Sequence, residues 1–428
     1  MLKELVQTAS PITDAQLDHA VCMALANEDV EGQRVLFIVP DSTRSMPMHA
    51  MVRALCHATE NASTCDFLIA LGTHPAMSND AIDAWLGLSD EARQSWFRGQ
   101  VFNHEWQNKD ALREIGTISG SKMSELSDGL LNDPANVAIN KRVFDYDLVC
   151  IVGPVFPHEV VGFSGGNKYL FPGVSGPEIL HQFHWLGALI TNPVINGAKT
   201  TAVRAVINAA ADMVNVEKCA FCLNVNEGDC NGIFYGSPED AWSAAADMAA
   251  ETHIRYLDKP FKTILALCPT RYDDLWVAGK CMYKLENAVA DGGELIIYAP
   301  HVTEISVTHG ELLRRIGYHT RDYFLAQMDQ FTDVPGGIIA HSTHVRGIGT
   351  YEDGVEHCRI DVTLATSIPE AESRAINLGY RDHNSIDPDE WHSREDEGIL
   401  VVDHAGEVLY QLRSGNPAPG PVVDKQGA

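Results

Sequence analysis

No stretch of this chain comes near the roughly 18 consecutive apolar residues that a membrane-spanning helix needs. Basic residues are scarce: 31 Lys and Arg stand against 58 Asp and Glu, a formal net charge of −27. A field of that sign repels phosphate backbones and anionic lipid, which argues against nucleic-acid and membrane-surface partners. An anionic substrate must then be met by a few placed cations. The opening segment, MLKELVQTASPITDAQLDHA, lacks a charged region followed by an apolar one, so no secretory signal is expected. Ten cysteines lie scattered without framework spacing and read as reduced core thiols of a cytoplasmic protein. There is no H-E-x-x-H and no G-x-G-x-x-G. Zincins and standard dinucleotide-binding dehydrogenases thereby lose their anchors.

What is present points to an α/β protein. With 428 residues, 45% of them hydrophobic, the chain suits two or three domains with a sizeable core. Apolar runs at 35–40 (VLFIVP), 66–72 (DFLIALG), 101–106, 148–156 (LVCIVGPVF) and 221–226 alternate with helical stretches, one from Pro47 to about Thr59. Continuous apolar strands separated by helices imply parallel sheets covered on both faces. Asn79 or Asp80 is placed to cap a helix. The rhythm restarts with strands expected at 263–269, 293–300, 336–344 (GGIIAHSTH) and 360–367, and a hinge helix at 275–290. The expected architecture is two α/β domains with largely parallel sheets, residues 1–257 and 258–397, and an active site in the cleft between them. The apolar tail from about 398 is a candidate to return to the first domain, ending in a mobile stretch at 414–428.

In open parallel sheets the ligand crevice lies outside the carboxyl ends of the strands. That rule selects Asp41-Ser42-Thr43-Arg44, Gly72-Thr73-His74, Asn103-His104 and the long loop from His158 to Lys168. Arg44 can pair structurally with Asp41 or grip a carboxylate bidentately. In the long loop Gly162, Ser164, Gly165, Gly166 and Lys168 either expose backbone N–H groups to a phosphate or serve a tight turn. The loop is no Walker A motif, because Tyr169 follows Lys168. His181 and His184 share a face of a helix expected from Pro177 to about Ile190, but no third metal ligand accompanies them in sequence. Cys219 and Cys222 read as core thiols on opposite faces of a strand. His341 and His344 read as surface or strand-end histidines rather than site residues.

Taken in order, these loops resemble the nickel-dependent lactate racemase family over nearly the whole chain. Its D-x-T-R, G-T-H and N-H elements match Asp41–Arg44, Gly72–His74 and Asn103-His104. Its G-F-S-G-G-N-K run ends at Lys168, ten residues after His158 and sixteen before His184. Lys280 and the late run Ile376-Asn377-Leu378-Gly379-Tyr380 complete the series. The resemblance implies a nickel-pincer nucleotide tethered at Lys168, with His184 as the metal's protein ligand and Thr43, His74, Ser164, Gly165 and Gly166 around the cofactor. Imidazole suits nickel, and a three-point pincer plus one ligand suits its square-planar preference.

It further implies racemisation or epimerisation of a 2-hydroxy acid by hydride removal and return through a 2-keto acid. His104 and His158 would serve as opposed acid/bases with pKa values suited to neutral pH. Arg44 would hold the substrate carboxylate, Asp41 would orient Arg44 or a histidine, and Lys280 would steady the oxyanion. Cofactor-maturation enzymes are the implied protein partners. One departure stands out: where the family's hinge helix offers Tyr-Gln, this chain has Trp276 and Val277. That change points to a substrate with a larger side chain than lactate's. The other readings are an epimerase of aldonate-type acids, a non-catalytic nickel- or cofactor-binding protein, and a nicotinamide-dependent dehydrogenase.

Overall fold

The computed structural model describes residues 2–6, 10–26 and 28–417. The chain divides into two compact units, each assembled from separate segments. The first comprises 1–156, 163–180 and 204–252; the second comprises 157–162, 181–203 and 253–428. This differs from a simple split at 257: the chain passes between units five times, the last at Thr252/His253.

The first unit is built on a seven-stranded sheet. Its strands are β1 (Lys3–Val6), β2 (Arg34–Pro40), β3 (Thr64–Ala70), β4 (Val101–Asn103), β7 (Leu148–Pro154), β10 (Glu217–Asn226) and β11 (Asp229–Gly236), in the order β1-β11-β10-β7-β2-β3-β4. A separate hairpin, β5 (Leu112–Ile118) with β6 (Ala135–Asn140), belongs to the same unit. Two short strands, β8 (Pro157–His158) and β9 (Gly162–Phe163), lie between β7 and β10 in sequence. Neighbours from β10 to β4 run parallel; β1 and β11 are antiparallel. All six residues of β2 after Arg34 are buried, as a strand covered on both faces requires.

Helices α1 (Asp14–Leu25) and α2 (Met48–Ala58) cover one face. Leu17, Val21 and Leu25 of α1 and Met51, Val52 and Leu55 of α2 pack into one core with Val35, Phe37 and Val39 of β2. A capping box between Thr13 and Gln16 starts α1. Ser78, not Asn79 or Asp80, caps the helix Asn79–Leu86.

The second unit carries a five-stranded, all-parallel sheet. It is formed by β13 (Phe261–Leu267), β14 (Val289–Ala299), β17 (Asp361–Thr366), β18 (Gly379–Tyr380) and β19 (Ile399–Val402), in the order β18-β17-β14-β13-β19. A parallel pair, β12 (Ile254–Leu257) with β20 (Leu409–Leu412), and a hairpin, β15 (Gly349–Glu352) with β16 (Val355–Cys358), complete it. The apolar tail therefore pairs within the second unit, through β19 and β20, and does not return to the first. Residues 418–428 of the expected mobile end lie outside the described residues.

Two further expectations are corrected. Residues 336–346 form a helix, not a strand. Residues 337 through 345 are all buried, so the run carries no amphipathic period and a short apolar stretch reads equally as strand. The hinge helix is short and broken: Leu275–Ala278, capped by Asp274, then Lys280–Leu285, with Val289 already opening β14. Among the described residues no helix is long and apolar enough to cross a membrane.

Candidate active site

In the first unit the carboxyl ends of β7, β2, β3 and β4 stand side by side in the sheet, so the loops selected from sequence emerge along one edge. Asp41, directly after β2, is buried. Its Oδ2 lies 2.5 Å from His74 Nδ1 on the loop after β3, and its Oδ1 accepts from the Thr43 hydroxyl at 2.5 Å and the Thr43 N–H at 3.1 Å. Burial alone would raise the Asp41 pKa; the His74 charge and hydrogen bond, with Arg44 and Thr43, outweigh it and hold the carboxyl well below its usual range. Arg44 Nη1 donates to Thr43 Oγ1 at 3.2 Å. The result is a fixed chain, His74–Asp41–Thr43–Arg44, ending on a guanidinium that stays partly exposed.

His104, after β4, is 1% exposed. Its Nε2 lies 2.9 Å from the Ser175 carbonyl and its Nδ1 3.2 Å from Asn140 Nδ2. The amide donates to Nδ1, so the ring proton sits on Nε2 and points to Ser175. Burial lowers its pKa to about 4, against smaller raising effects from Ser175 and Glu105. The ring is thus neutral at pH 7, and the expectation of a value near neutrality is corrected.

The loop after β7 arches across these strand ends. Gly72 N–H donates to the Gly173 carbonyl at 3.0 Å, and Asn140 N–H to that of Val174 at 2.8 Å. Lys168 sits on a short 3-10 turn, Gly166–Tyr169, and keeps partial exposure. Gly165 and Gly166 have φ of +83° and +58°. A Cβ on Gly165 would come within 2.6 Å of Val155, and one on Gly166 within 2.8 Å of Trp242. Those glycines let the loop lie against the protein itself, which favours the tight-turn reading over a phosphate cradle. Ser164 is buried; its hydroxyl accepts from Phe156 N–H at 2.9 Å, and its carbonyl accepts from Trp242 Nε1 at 2.8 Å.

The second unit holds the remaining candidates. His158 Nδ1 accepts from Val160 N–H at 3.1 Å and faces Glu159 Oε2 at 3.3 Å. One atom cannot serve both at once. The N–H suits the neutral ring and the carboxylate suits the protonated one, so each protonation state has a partner. His181 and His184 lie on one face of the helix Pro177–Ile190, and the His184 ring stacks on Phe183 at 4.8 Å. Burial lowers the His181 pKa to about 4, and its buried Nδ1 has no hydrogen-bond partner. Lys280 Nζ lies 4.7 Å from the centre of the Tyr272 ring. Trp276 stacks on His341 at 3.9 Å and meets the His309 ring at a tilt of 48° with centroids 4.7 Å apart, and Val277 packs against the unit's core.

Other site neighbours were not singled out from sequence. Asn140 and Ser175 fix His104. Tyr169 has its pKa raised chiefly by burial, against the Arg44 charge, and a Cβ at Gly153 would lie 2.1 Å from its hydroxyl. A glycine inside the strand LVCIVGP was the available signal for that close approach. Arg204, also buried, donates to the carbonyls of Phe163 and Gly165 and stacks on Trp242. In the second unit Lys284 is buried and donates to the Pro157 carbonyl. His341 and His344 are buried on the helix Gly336–Arg346, not at the surface, and His341 Nδ1 lies 2.7 Å from the Tyr283 hydroxyl. Cys219 joins the core beside Cys150, whereas Cys222 lies near Arg204 on the other face.

Known proteins resemble this chain in sequence and in fold. Residues 3–195 match the family model described as the lactate racemase N-terminal domain. A lactate racemase of Thermoanaerobacterium thermosaccharolyticum is 26% identical over 283 residues, 63% of this chain and 60% of that protein. A lactate racemase of Lactiplantibacillus plantarum is 23% identical over 251 residues, 56% of this chain and 53% of that protein. The matches thus span little more than half the length of those relatives. A crystal structure of a Thermotoga maritima protein is 31% identical, with a TM-score of 0.86 over 96% of this chain and all of that one. The lactate racemase apoprotein of T. thermosaccharolyticum has the same fold, with a TM-score of 0.70 at 19% identity over 94% of each chain. The chain is thus similar to lactate racemases, in sequence across its N-terminal part and in fold over nearly its whole length.

Proposed function

We propose that the protein is an isomerase, a racemase or epimerase of a 2-hydroxy acid, that uses a nickel-pincer nucleotide. The observation that carries this reading is the chain His74–Asp41–Thr43–Arg44 beside His104 at adjacent strand ends. The donors suit the group: Lys168 offers an amine for acyl attachment, and His184 offers an imidazole for nickel. The cofactor, when bound, supplies a hydride acceptor at the substrate's C2.

The rest falls to side chains. Arg44, held by Thr43, grips the substrate carboxylate. His158 moves a proton at the substrate hydroxyl, with Glu159 stabilising its charged form and Val160 N–H its neutral form. His104 does so for the other enantiomer; its Nδ1 must first exchange Asn140 for the hydroxyl. Lys280 steadies negative charge on the substrate oxygen. Two bases are needed because the hydroxyl lies on a different side in each enantiomer. We also place the protein in the cytoplasm, served by cofactor-maturation enzymes, without nucleic-acid or membrane partners.

Intact-mass analysis of matured protein tests the tether. A mass addition lost in Lys168→Ala is expected; an unmodified polypeptide that still inverts 2-hydroxy acids overturns it. His104→Ala and His158→Ala should each lower turnover by about 100- to 10,000-fold with the mass addition retained.

A further inference from the structure

Away from the strand ends, α1 and α2 bring together three potential metal donors of different kinds. Asp18 and Cys22 stand one turn apart on α1, and His57 lies in the last turn of α2. His57 Nδ1 is 3.0 and 3.2 Å from the two Asp18 oxygens and 3.6 Å from Cys22 Sγ. All three donor atoms lie within 4.8 Å of one another, and among the described residues no other His, Cys, Asp or Glu group meets that criterion.

We propose that this cluster is a surface site for one divalent, borderline-soft cation, with Zn²⁺ the best fit. Zinc takes Cys, His and Asp donors at about 2.0–2.3 Å in a tetrahedron, whose edges are then roughly 3.3–3.7 Å. The measured separations of 3.0 and 3.6 Å already approach two such edges. The i, i+4 spacing puts Asp18 and Cys22 on one face, and the packing of α1 and α2 in one core fixes His57 opposite them. Side chains of His57 and Asp18 are 58% and 39% exposed, so an ion reaches them from solvent and keeps water as a fourth ligand.

Protons compete for the site. Asp18 raises the His57 pKa, with Glu60 adding to that effect and Arg53 opposing it. Burial, Asp18 and Glu60 raise that of Cys22. Binding therefore releases the Cys22 thiol proton and any proton on His57, and tightens as pH rises. The bound ion would clamp α1 to α2.

The test uses the full-length protein, titrated with Zn²⁺ and, as a spectroscopic stand-in, Co²⁺. One equivalent of Co²⁺ should produce a thiolate-to-cobalt charge-transfer band that Zn²⁺ abolishes. Cys22→Ser should lose the band, His57→Gln should weaken binding at least tenfold, and both variants should keep the native circular dichroism spectrum. Zinc should raise the melting temperature of the parent by several degrees but not that of Cys22→Ser. Absence of the band, or a band and melting shift unchanged in both variants, overturns the proposal. A Lys168→Ala, His184→Ala background keeps nickel at the proposed cofactor site out of the readout.

Discussion

Replacing His104 with Gln isolates the energetic consequence of burying an imidazole at the end of β4. In the folded protein its pKa falls, chiefly through burial, to about 4, whereas the unfolded chain titrates near 6.5, the ordinary value for an imidazole. Above pH 6.5 both states hold a neutral ring and the site contributes its full stability. As pH falls through 6.5 the unfolded chain takes up a proton that the folded chain refuses until about pH 4. Stability is therefore lost across that window and levels off below it. At about 1.4 kcal/mol per pH unit, the loss is roughly 3 kcal/mol.

The variant cannot take up that proton. At pH 7.5 it should be less stable than the parent by about 1–3 kcal/mol, from imperfect contacts with Ser175 and Asn140. By pH 4 the difference should shrink by roughly 3 kcal/mol and so close or reverse. Urea unfolding followed by far-ultraviolet circular dichroism at half-unit pH steps gives the comparison. His181 and His344, whose pKa values burial also lowers to about 4, add acid sensitivity to both proteins alike. Parallel curves for parent and variant across the window would refute the argument, because they would mean that folded His104 protonates at an ordinary value.

Three other outcomes follow from the same geometry. Asp41→Asn should destabilise the protein by about 2–3 kcal/mol at pH 7, since it leaves His74 and Arg44 facing a neutral amide. The Asp41 carboxyl is held low, so the deficit should be full above about pH 4 and shrink below it as the unfolded parent takes up a proton that the folded parent still refuses; denaturant midpoints should show a smaller gap at pH 2.5 than at pH 7. Gly166→Ala, at φ +58° with Trp242 2.8 Å from the new methyl, should cost about 2–4 kcal/mol by thermal unfolding. Trp276 and Val277 present apolar surface in place of the Tyr-Gln that the resemblance implies, so kcat/KM in matured enzyme should favour 2-hydroxybutyrate or phenyllactate over lactate by about tenfold or more; lactate leading the panel would contradict this.

The strands were legible because parallel strands buried on both faces are written as continuous apolar runs, and the candidate loops because ligands gather at carboxyl ends. The helix Gly336–Arg346 was not, since burial on every side erases the amphipathic period that would mark it. The division into units was hidden for a different reason. Segments 157–162 and 181–203 are assigned by contacts with residues distant in sequence, which local periodicity does not record. Asn140 and Ser175 were illegible likewise: an asparagine ending a hairpin and a serine in a loop gain meaning only where they meet His104. Cys22 and His57 were ordinary residues until two packed helices placed them 3.6 Å apart.

The central claim, inversion of a 2-hydroxy acid by removal and return of hydrogen at C2, is tested most directly with isotopically labelled substrate. Matured protein would be given one enantiomer of a 2-hydroxy acid carrying deuterium at C2 in ordinary water, and the product enantiomer examined by chiral separation and mass spectrometry. The account predicts inversion with deuterium retained at C2, because hydride never enters the solvent pool. Inversion with deuterium replaced by solvent hydrogen, or no inversion of any 2-hydroxy acid by fully matured protein, would contradict it.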